Sequence, residues 1–511
     1  MKDRLYFNGK VTCIRPKDLV CEAMLTRGDR IVAVGDRNAL QALAAPGVEF
    51  IDLAGRQVLP GFIDTHAHFL DTGFSQTKLN LGAVQTIEEL LKKLSESVKK
   101  KGEWIFAVNL DENRLVEGRL PTLAELDQAI PDNPVYINHR SYHSSLVNSC
   151  ALSLAGMIKQ TDDNKNGAYL SGRENTEFKA WIAKRTQDSD LNKAMEAASK
   201  QARRKGLTTV HCIEGGDYWG DAYAEFIHKH QPESIDLILF YNTDNIQKIE
   251  RLGLPRMGGD LFLDGSVSGR TASFLNPYVD KSVHGDLYMT DQELEMLIEK
   301  AHMAGVQISF HVIGDRAIEQ ALRVFDRVLI QYPNRDHRHR IEHFGFPSDD
   351  QIQKAAELGL AIATQPAFVY LKGENYRIRL GEDRLKSAYP LRKLIDAGLR
   401  VGGGSDSLVT PMDPLLGIHA AVNAPYDVQR LTRSEAVELY TIRAAELAFE
   451  EGRKGSLEAG KLADFVVLEQ DIFHVPALEI KDVEVAMTVH HGQCVYQRNK
   501  EEQDGKGCFG D

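Results

Sequence analysis

The chain has 511 residues, 43% hydrophobic and 26% charged, an ordinary balance for a folded protein with a large core. Its 61 basic and 73 acidic side chains give a net charge of -12, which argues against nucleic acid as the partner, and no run approaches the roughly 18 unbroken apolar residues of a membrane span. The first residues lack a signal peptide's apolar stretch, and the six cysteines show neither metal spacing nor a disulfide framework, so a reduced, cytoplasmic setting is expected.

Taken in chain order, residues 1–58 are short β-like runs with turns, such as "GDRIVAVGD". The far end resembles them, in "ADFVVLEQD" and "VAMTVHHGQCVY". The reading is that 1–58 and 456–511 pair into one small β-sandwich domain, with a continuous segment, 59–455, inserted between them. An apolar strand is expected at 62–68, inside "GFIDTHAHFLDTG". Residues 76–200 read as an inserted subdomain of mixed structure. Thr86 and Glu89 cap a helix there with apolar positions Ile87, Leu90, Leu91, Leu94 and Val98, and strands are expected at 104–110 and 135–139.

From about residue 200 one device recurs: a helix ends in glycine and an apolar strand follows, at Gly206, Gly305, Gly359 and Gly398. Thr290 with Glu293, and Ser348 with Gln351, mark two helix starts by capping-box spacing. Strands are expected at 207–212, 236–242, 260–265, 306–311, 340–343, 360–365 and 400–405. With 62–68 that makes eight, and alternation of helix with buried strand means a parallel sheet, so the fold class is α/β, a (β/α)8 TIM barrel.

Barrels keep their chemistry where strands end. His66 and His68 are two apart and share one face of the first strand. His311 in "ISFHVIGD", His343 in "RIEHF" and Asp406 in "VGGGSDS" end three others. Four imidazoles and a carboxylate gathered in a barrel are costly to desolvate unless they share a cation, and zinc takes histidine nitrogen and carboxylate oxygen readily. A single histidine is more often structural; five such residues at strand ends favour a metal. His337 and His339, set among arginines, read as a solvated loop, and His490 and His491 in the β-rich end as structural. His211 ends the second strand and reads as a pocket-lining candidate.

"PGFIDTHAHF", "FHVIGDRA", "RIEHF" and "GGGSDS" together resemble the amidohydrolase superfamily. "LDGSVSGRTASF", "YHSSLVNSCAL", "LYTIRAAELAFEE" and "KGSLEAGKLADFVVL" narrow the resemblance to the amidohydrolase 3 group, which includes N-substituted formamide deformylases. The resemblance implies His66, His68, His311, His343 and Asp406 as ligands of one or two divalent ions, with Asp406 also the proton carrier. Two-metal members commonly carry a bridging carboxylated lysine on the fourth strand; here "GGDLFLDGS" offers no lysine. Asp260 or Asp264 is the candidate bridging carboxylate, Asp264 reading equally as a turn residue. With one ion, His66, His68, His311 and Asp406 would hold it and His343 would polarise the substrate.

The expected activity is hydrolysis of a non-peptide C–N bond (amide, formamide or cyclic amide) in a small molecule by metal-activated water, with Asp406, His343 and His311 catalytic. An esterase or lactonase, or a non-catalytic ligand-binding relative, would carry a similar site. His143, Tyr142, Arg270, His211 and Trp219 are the candidates for substrate contacts, with a loop-ordering salt bridge the competing role for Arg270. No nucleic-acid or membrane partner is expected, and a homodimer stays open.

Overall fold

Gly206, Gly305, Gly359 and Gly398 adopt φ of +79°, +71°, +68° and +76°, the left-handed turn that ends a helix and returns the chain. In the computed structural model, which describes residues 2–15, 19–139, 144–157, 169–216, 220–333 and 336–498, each of these glycines leads into a strand of one eight-stranded sheet. The strands are β1 (Phe62–Ala67), β2 (Leu207–Glu214), β3 (Asp236–Tyr241), β4 (Arg256–Phe262), β5 (Gln307–Val312), β6 (Arg340–His343), β7 (Ala361–Thr364) and β8 (Arg400–Gly403). They lie side by side in chain order, with parallel pairing along the ladder. The sheet curls until its ends meet. An isolated parallel bridge joins Ala67 to Ser407, the Asp406 N–H donates to the His66 carbonyl at 2.7 Å, and the His68 N–H donates to the Ser407 carbonyl at 2.8 Å.

Two helices between strands show why the sequence is helical where it is. Asp291–Met303 starts at a complete Thr290–Glu293 capping box and buries Leu294, Ile298 and Ala301 on one stripe. Asp349–Glu357 starts at the Ser348–Gln351 box and buries Ile352 and Ala355.

β4 differs from expectation. It begins at Arg256, not at 260, and runs through Gly258 (φ +84°) and Gly259 (φ +108°). Glycines read as strand breakers in sequence, but here they allow close approach. A Cβ on Gly258 would sit 2.0 Å from the Ser309 carbonyl oxygen of β5.

The chain ends build two further sheets. One, of four strands, is wholly N-terminal: Arg30–Gly35, Ala23–Arg27, Asp3–Phe7 and Glu49–Asp52, in that order. The other, of six, interleaves both ends: Gln57–Pro60 pairs antiparallel with Phe465–Leu468, which pairs with Val485–His490. Tyr6, Met24, Val58, Phe465 and Val467 pack in the apolar core of this composite β domain, with the Tyr6 and Phe465 rings edge to face at 4.9 Å. The barrel and both end sheets belong to one compact unit.

Residues 69–198 with 214–229 form the second compact unit. Its five-stranded sheet runs Tyr169–Ser171, Ser144–Val147, Val135–His139, Ile105–Leu110 and Leu79–Asn80. The strands expected at 104–110 and 135–139 are therefore present. Thr86 caps the helix Ile87–Glu96, which buries Ile87, Leu90 and Leu94. No helix among the described residues is long and apolar enough to cross a membrane.

Candidate active site

His66 and His68 close β1, and the pleat turns both toward the barrel interior. The backbone bond from Asp406 to His66 brings the Asp406 side chain against them: Asp406 Oδ1 lies 3.6 Å from His66 Nε2 and 3.3 Å from His68 Nε2. Asp260, near the end of β4, stands across from them, with Oδ2 3.3 Å from His68 Nε2 and Oδ1 3.9 Å from His66 Nε2. Asp260 Oδ1 is also 3.6 Å from His311 Nδ1. His311 Nδ1 in turn lies 2.9 Å from His343 Nε2. All five predicted ligands meet at one focus, and Asp260 stands between the His66–His68–Asp406 group and the His311–His343 pair. All six residues are less than a tenth exposed.

Two of these residues depend on an unusual backbone. Alternation along β6 would face Arg340 and Glu342 inward and His343 outward. His343 has φ +69°, and this left-handed turn at the strand end swings its ring into the site. Asp406 has φ +51° just past β8.

The ring hydrogen bonds fix which nitrogens face the focus. His343 Nδ1 pairs with Gln365 Oε1 at 2.7 Å and His311 Nε2 with the Gly265 carbonyl at 3.3 Å. Both acceptors take an N–H, so His343 Nε2 and His311 Nδ1 bring lone pairs face to face, an arrangement that asks for a cation. His68 Nδ1 donates likewise to the Ile213 carbonyl at 3.1 Å, turning Nε2 to the two aspartates. His66 Nε2 and Asp260 Oδ1 are buried without a hydrogen-bond partner among the described residues. Ligand atoms sharing one zinc ion lie roughly 2.9–3.4 Å apart. The 2.9 Å and 3.3 Å separations fall within that spacing, and the 3.6 Å and 3.9 Å separations lie just beyond it. The donor set therefore fits divalent metal.

Beneath these six residues lies a charge pair that sequence reading missed. Glu342 Oε2 accepts from His66 Nδ1 at 2.7 Å and from Arg340 Nη2 at 2.8 Å; Oε1 accepts from Arg340 Nε at 2.5 Å and from the Ser309 hydroxyl. Burial alone would raise the Glu342 carboxyl, but Arg340 and His66 outweigh it and hold it at about 2. Arg340 and Glu342 are two apart in "RIEHF", opposite charges on one face of a buried strand, and that was the available signal. Asp64, also missed, accepts from the His66 N–H at 3.1 Å and the Ser405 N–H at 2.9 Å, joining β1 to the chain after β8.

Other expectations need correcting. Asp264 is not brought to the focus. Its carboxylate accepts the N–H groups of Ser273, Ile313 and Gly314 at 2.8–2.9 Å, so it orders the loop after β4. His211 is fully buried, and its Nδ1 accepts from Arg340 Nη1 at 3.0 Å. Arg270 takes the loop-ordering role set out as the alternative to substrate contact, held by Asp280 through Nε at 3.1 Å and Nη2 at 2.5 Å. His339 is buried rather than solvated, paired through Nε2 with His302 Nδ1 at 2.9 Å. Tyr142, His143 and Trp219 lie outside the described residues.

A parallel barrel whose strand ends gather four imidazoles and two carboxylates around one focus suits metal-dependent catalysis. The sequence model of the amidohydrolase family matches residues 49–496, and the chain belongs to this family. It is 31% identical to the putative amidohydrolase YtcJ of Bacillus subtilis over 523 residues, covering 93% of this chain and 98% of that protein. It is 26% identical to the N-substituted formamide deformylase of Arthrobacter pascens, covering 98% and 99%. A solved structure from Pyrococcus furiosus, described as an uncharacterized metal-dependent hydrolase, superposes with a TM-score of 0.79 at 29% identity, covering 92% of this chain and 100% of that one.

Proposed function

We propose that the protein hydrolyses a non-peptide C–N bond of a small molecule, an amide, formamide or cyclic amide, using water activated at a zinc centre. His66, His68, His311, His343, Asp406 and Asp260 would hold the metal. A bound divalent ion supplies Lewis acidity and lowers the pKa of water toward neutrality. Asp406 accepts the proton of the attacking water at a carboxylate oxygen and delivers it to the leaving nitrogen. Its backbone, tied to His66, holds that oxygen at the focus throughout. His343, fixed by Gln365, and His311, fixed by the Gly265 carbonyl, keep their inward nitrogens unprotonated and available to a metal.

The observation that carries this reading is Asp406 Oδ1 at 3.6 Å and 3.3 Å from the two β1 imidazoles, buried at a strand end. The likeness to an N-substituted formamide deformylase supports the choice of bond. The test is Asp406→Asn, assayed on a panel of N-formyl and N-acyl compounds and lactams. Hydrolysis should fall by roughly 10²–10⁴, the range of a lost general base, with the unfolding transition retained. Turnover at the wild-type rate in that variant removes Asp406 from the mechanism.

A further inference from the structure

A second His/Asp cluster lies at the other end of the barrel. Asp236 is the first residue of β3, at the end of the strand away from the active site. Asp464 directly precedes the strand Phe465–Leu468 of the composite sheet, and His490 and His491 end Val485–His490 and begin the turn that follows. One ligand atom from each of these four residues lies within 4.8 Å of all the others. The two imidazoles stack at 3.9 Å with 23° between their planes, and both Nε2 atoms approach Asp236: His490 Nε2 is 3.2 Å from Oδ1 and His491 Nε2 is 3.3 Å from Oδ2.

The far atoms of these side chains are anchored. His490 Nδ1 donates to the Glu233 carbonyl at 3.1 Å, which leaves the Nε2 lone pair facing inward. Asp464 Oδ1 accepts from the His491 N–H at 2.6 Å. Asp236 Oδ2 pairs with Lys454, whose ammonium also donates to Thr209 Oγ1 at 2.9 Å. The near atoms are not satisfied: His490 Nε2, His491 Nε2 and Asp464 Oδ2 are buried without hydrogen-bond geometry to any described residue. His490 is 2% and Asp464 4% exposed. Buried polar atoms left this way cost free energy unless something fills the place between them. Two carboxylates and two imidazole nitrogens turned toward one another form a donor set that suits a shared cation.

We propose that Asp236, Asp464, His490 and His491 form a second, structural divalent-metal site that staples the composite β domain to the base of the barrel. Two nitrogen and two oxygen donors suit four-coordinate zinc. Lys454 stays on Asp236 Oδ2 and offsets the second carboxylate. The site takes no part in hydrolysis and contributes to the cohesion of the two parts it joins.

The test uses the full chain carrying His66→Ala and His68→Ala, which cripples the catalytic site, stripped with a chelator and reloaded with Zn²⁺ or Co²⁺. This background should retain about one ion per chain after desalting, and cobalt should give the intense visible bands of four-coordinate geometry. Adding His490→Gln and His491→Gln should abolish both signals. Those two substitutions in the otherwise wild-type chain should lower bound zinc by one equivalent and leave hydrolysis unchanged, a comparison that does not depend on the background folding well. Zinc content that is the same with and without His490→Gln and His491→Gln overturns the proposal.

Discussion

Glu342→Gln separates positioning of a metal ligand from simple charge burial. The carboxylate takes four donors on two oxygens: His66 Nδ1, Arg340 Nε, Arg340 Nη2 and the Ser309 hydroxyl. A glutamine has one acceptor oxygen. If that oxygen faces Arg340, the amide N–H groups confront His66 Nδ1 and reverse its tautomer, placing the proton on the Nε2 that faces Asp260 and Asp406. If it faces His66, Arg340 meets a donor instead of an acceptor. Arg340 is fully buried, and stripping the counter-charge from a buried ion costs about 3–5 kcal/mol. Loss of the group that orients a ligating histidine typically weakens metal binding by roughly 10–100-fold. Two assays follow: chemical unfolding of the metal-free chain, and zinc affinity by competition with a chelator. Arg340→Met is the control, because it removes the cation but keeps the carboxylate on His66. Both variants should lose stability, and only Glu342→Gln should lose most of its zinc affinity. Unchanged zinc affinity in Glu342→Gln, or an equal loss in both variants, refutes the assignment of Glu342 as the residue that orients His66.

Two further outcomes are expected. Asp3 accepts from Arg27 at 2.7 Å and 2.8 Å and from the Ala45 N–H at 2.8 Å, and the Arg27 hydrogen bond leads the effects that lower its carboxyl from 3.8 to about 2. A lowered folded value means this contribution is complete above about pH 4 and is lost as pH falls through about 2. Arg27 is 45% exposed, so Asp3→Asn should cost about 1–2 kcal/mol at neutral pH after allowing for screening. The gap to wild type in urea unfolding should narrow steadily below pH 4, and a gap independent of pH contradicts the linkage. Gly258→Ala forces a Cβ to within 2.0 Å of the Ser309 carbonyl at φ +84°. Left-handed strain and overpacking together predict roughly 2–5 kcal/mol of destabilisation, and displacement of Asp260 along the same strand should weaken zinc binding as well. Wild-type unfolding in this variant would show that β4 and β5 are free to separate there.

The barrel was legible because its signals are local. A glycine between helix and strand at four places, capping boxes at Thr290 and Ser348, and apolar runs of strand length mark alternating helix and strand without any long-range information. The gathering of His66, His68, His311, His343 and Asp406 was legible for a related reason, since strand ends in a parallel barrel share one rim. What escaped was set by the backbone or by distant partners. β4 was read four residues late because Gly258 and Gly259 look like breakers and instead let β4 lie close to β5. Asp264 and Asp260 share a strand face in sequence, yet the loop amides of Ser273, Ile313 and Gly314 capture Asp264, and nothing near it in sequence marks those partners. His339 looked solvated among arginines, but its partner His302 lies on the helix before β5, a contact only the fold supplies. His343 reaches the focus through a left-handed turn that residue alternation does not foresee.

The most direct measurement is anomalous diffraction at the zinc edge from metal-loaded crystals. The account predicts a peak within roughly 2.0–2.2 Å of His66 Nε2, His68 Nε2 and an Asp406 oxygen, and a second peak on His311 Nδ1 and His343 Nε2, with Asp260 touching both. Zinc bound to the chain but with no peak at the rim formed by these six residues would contradict it.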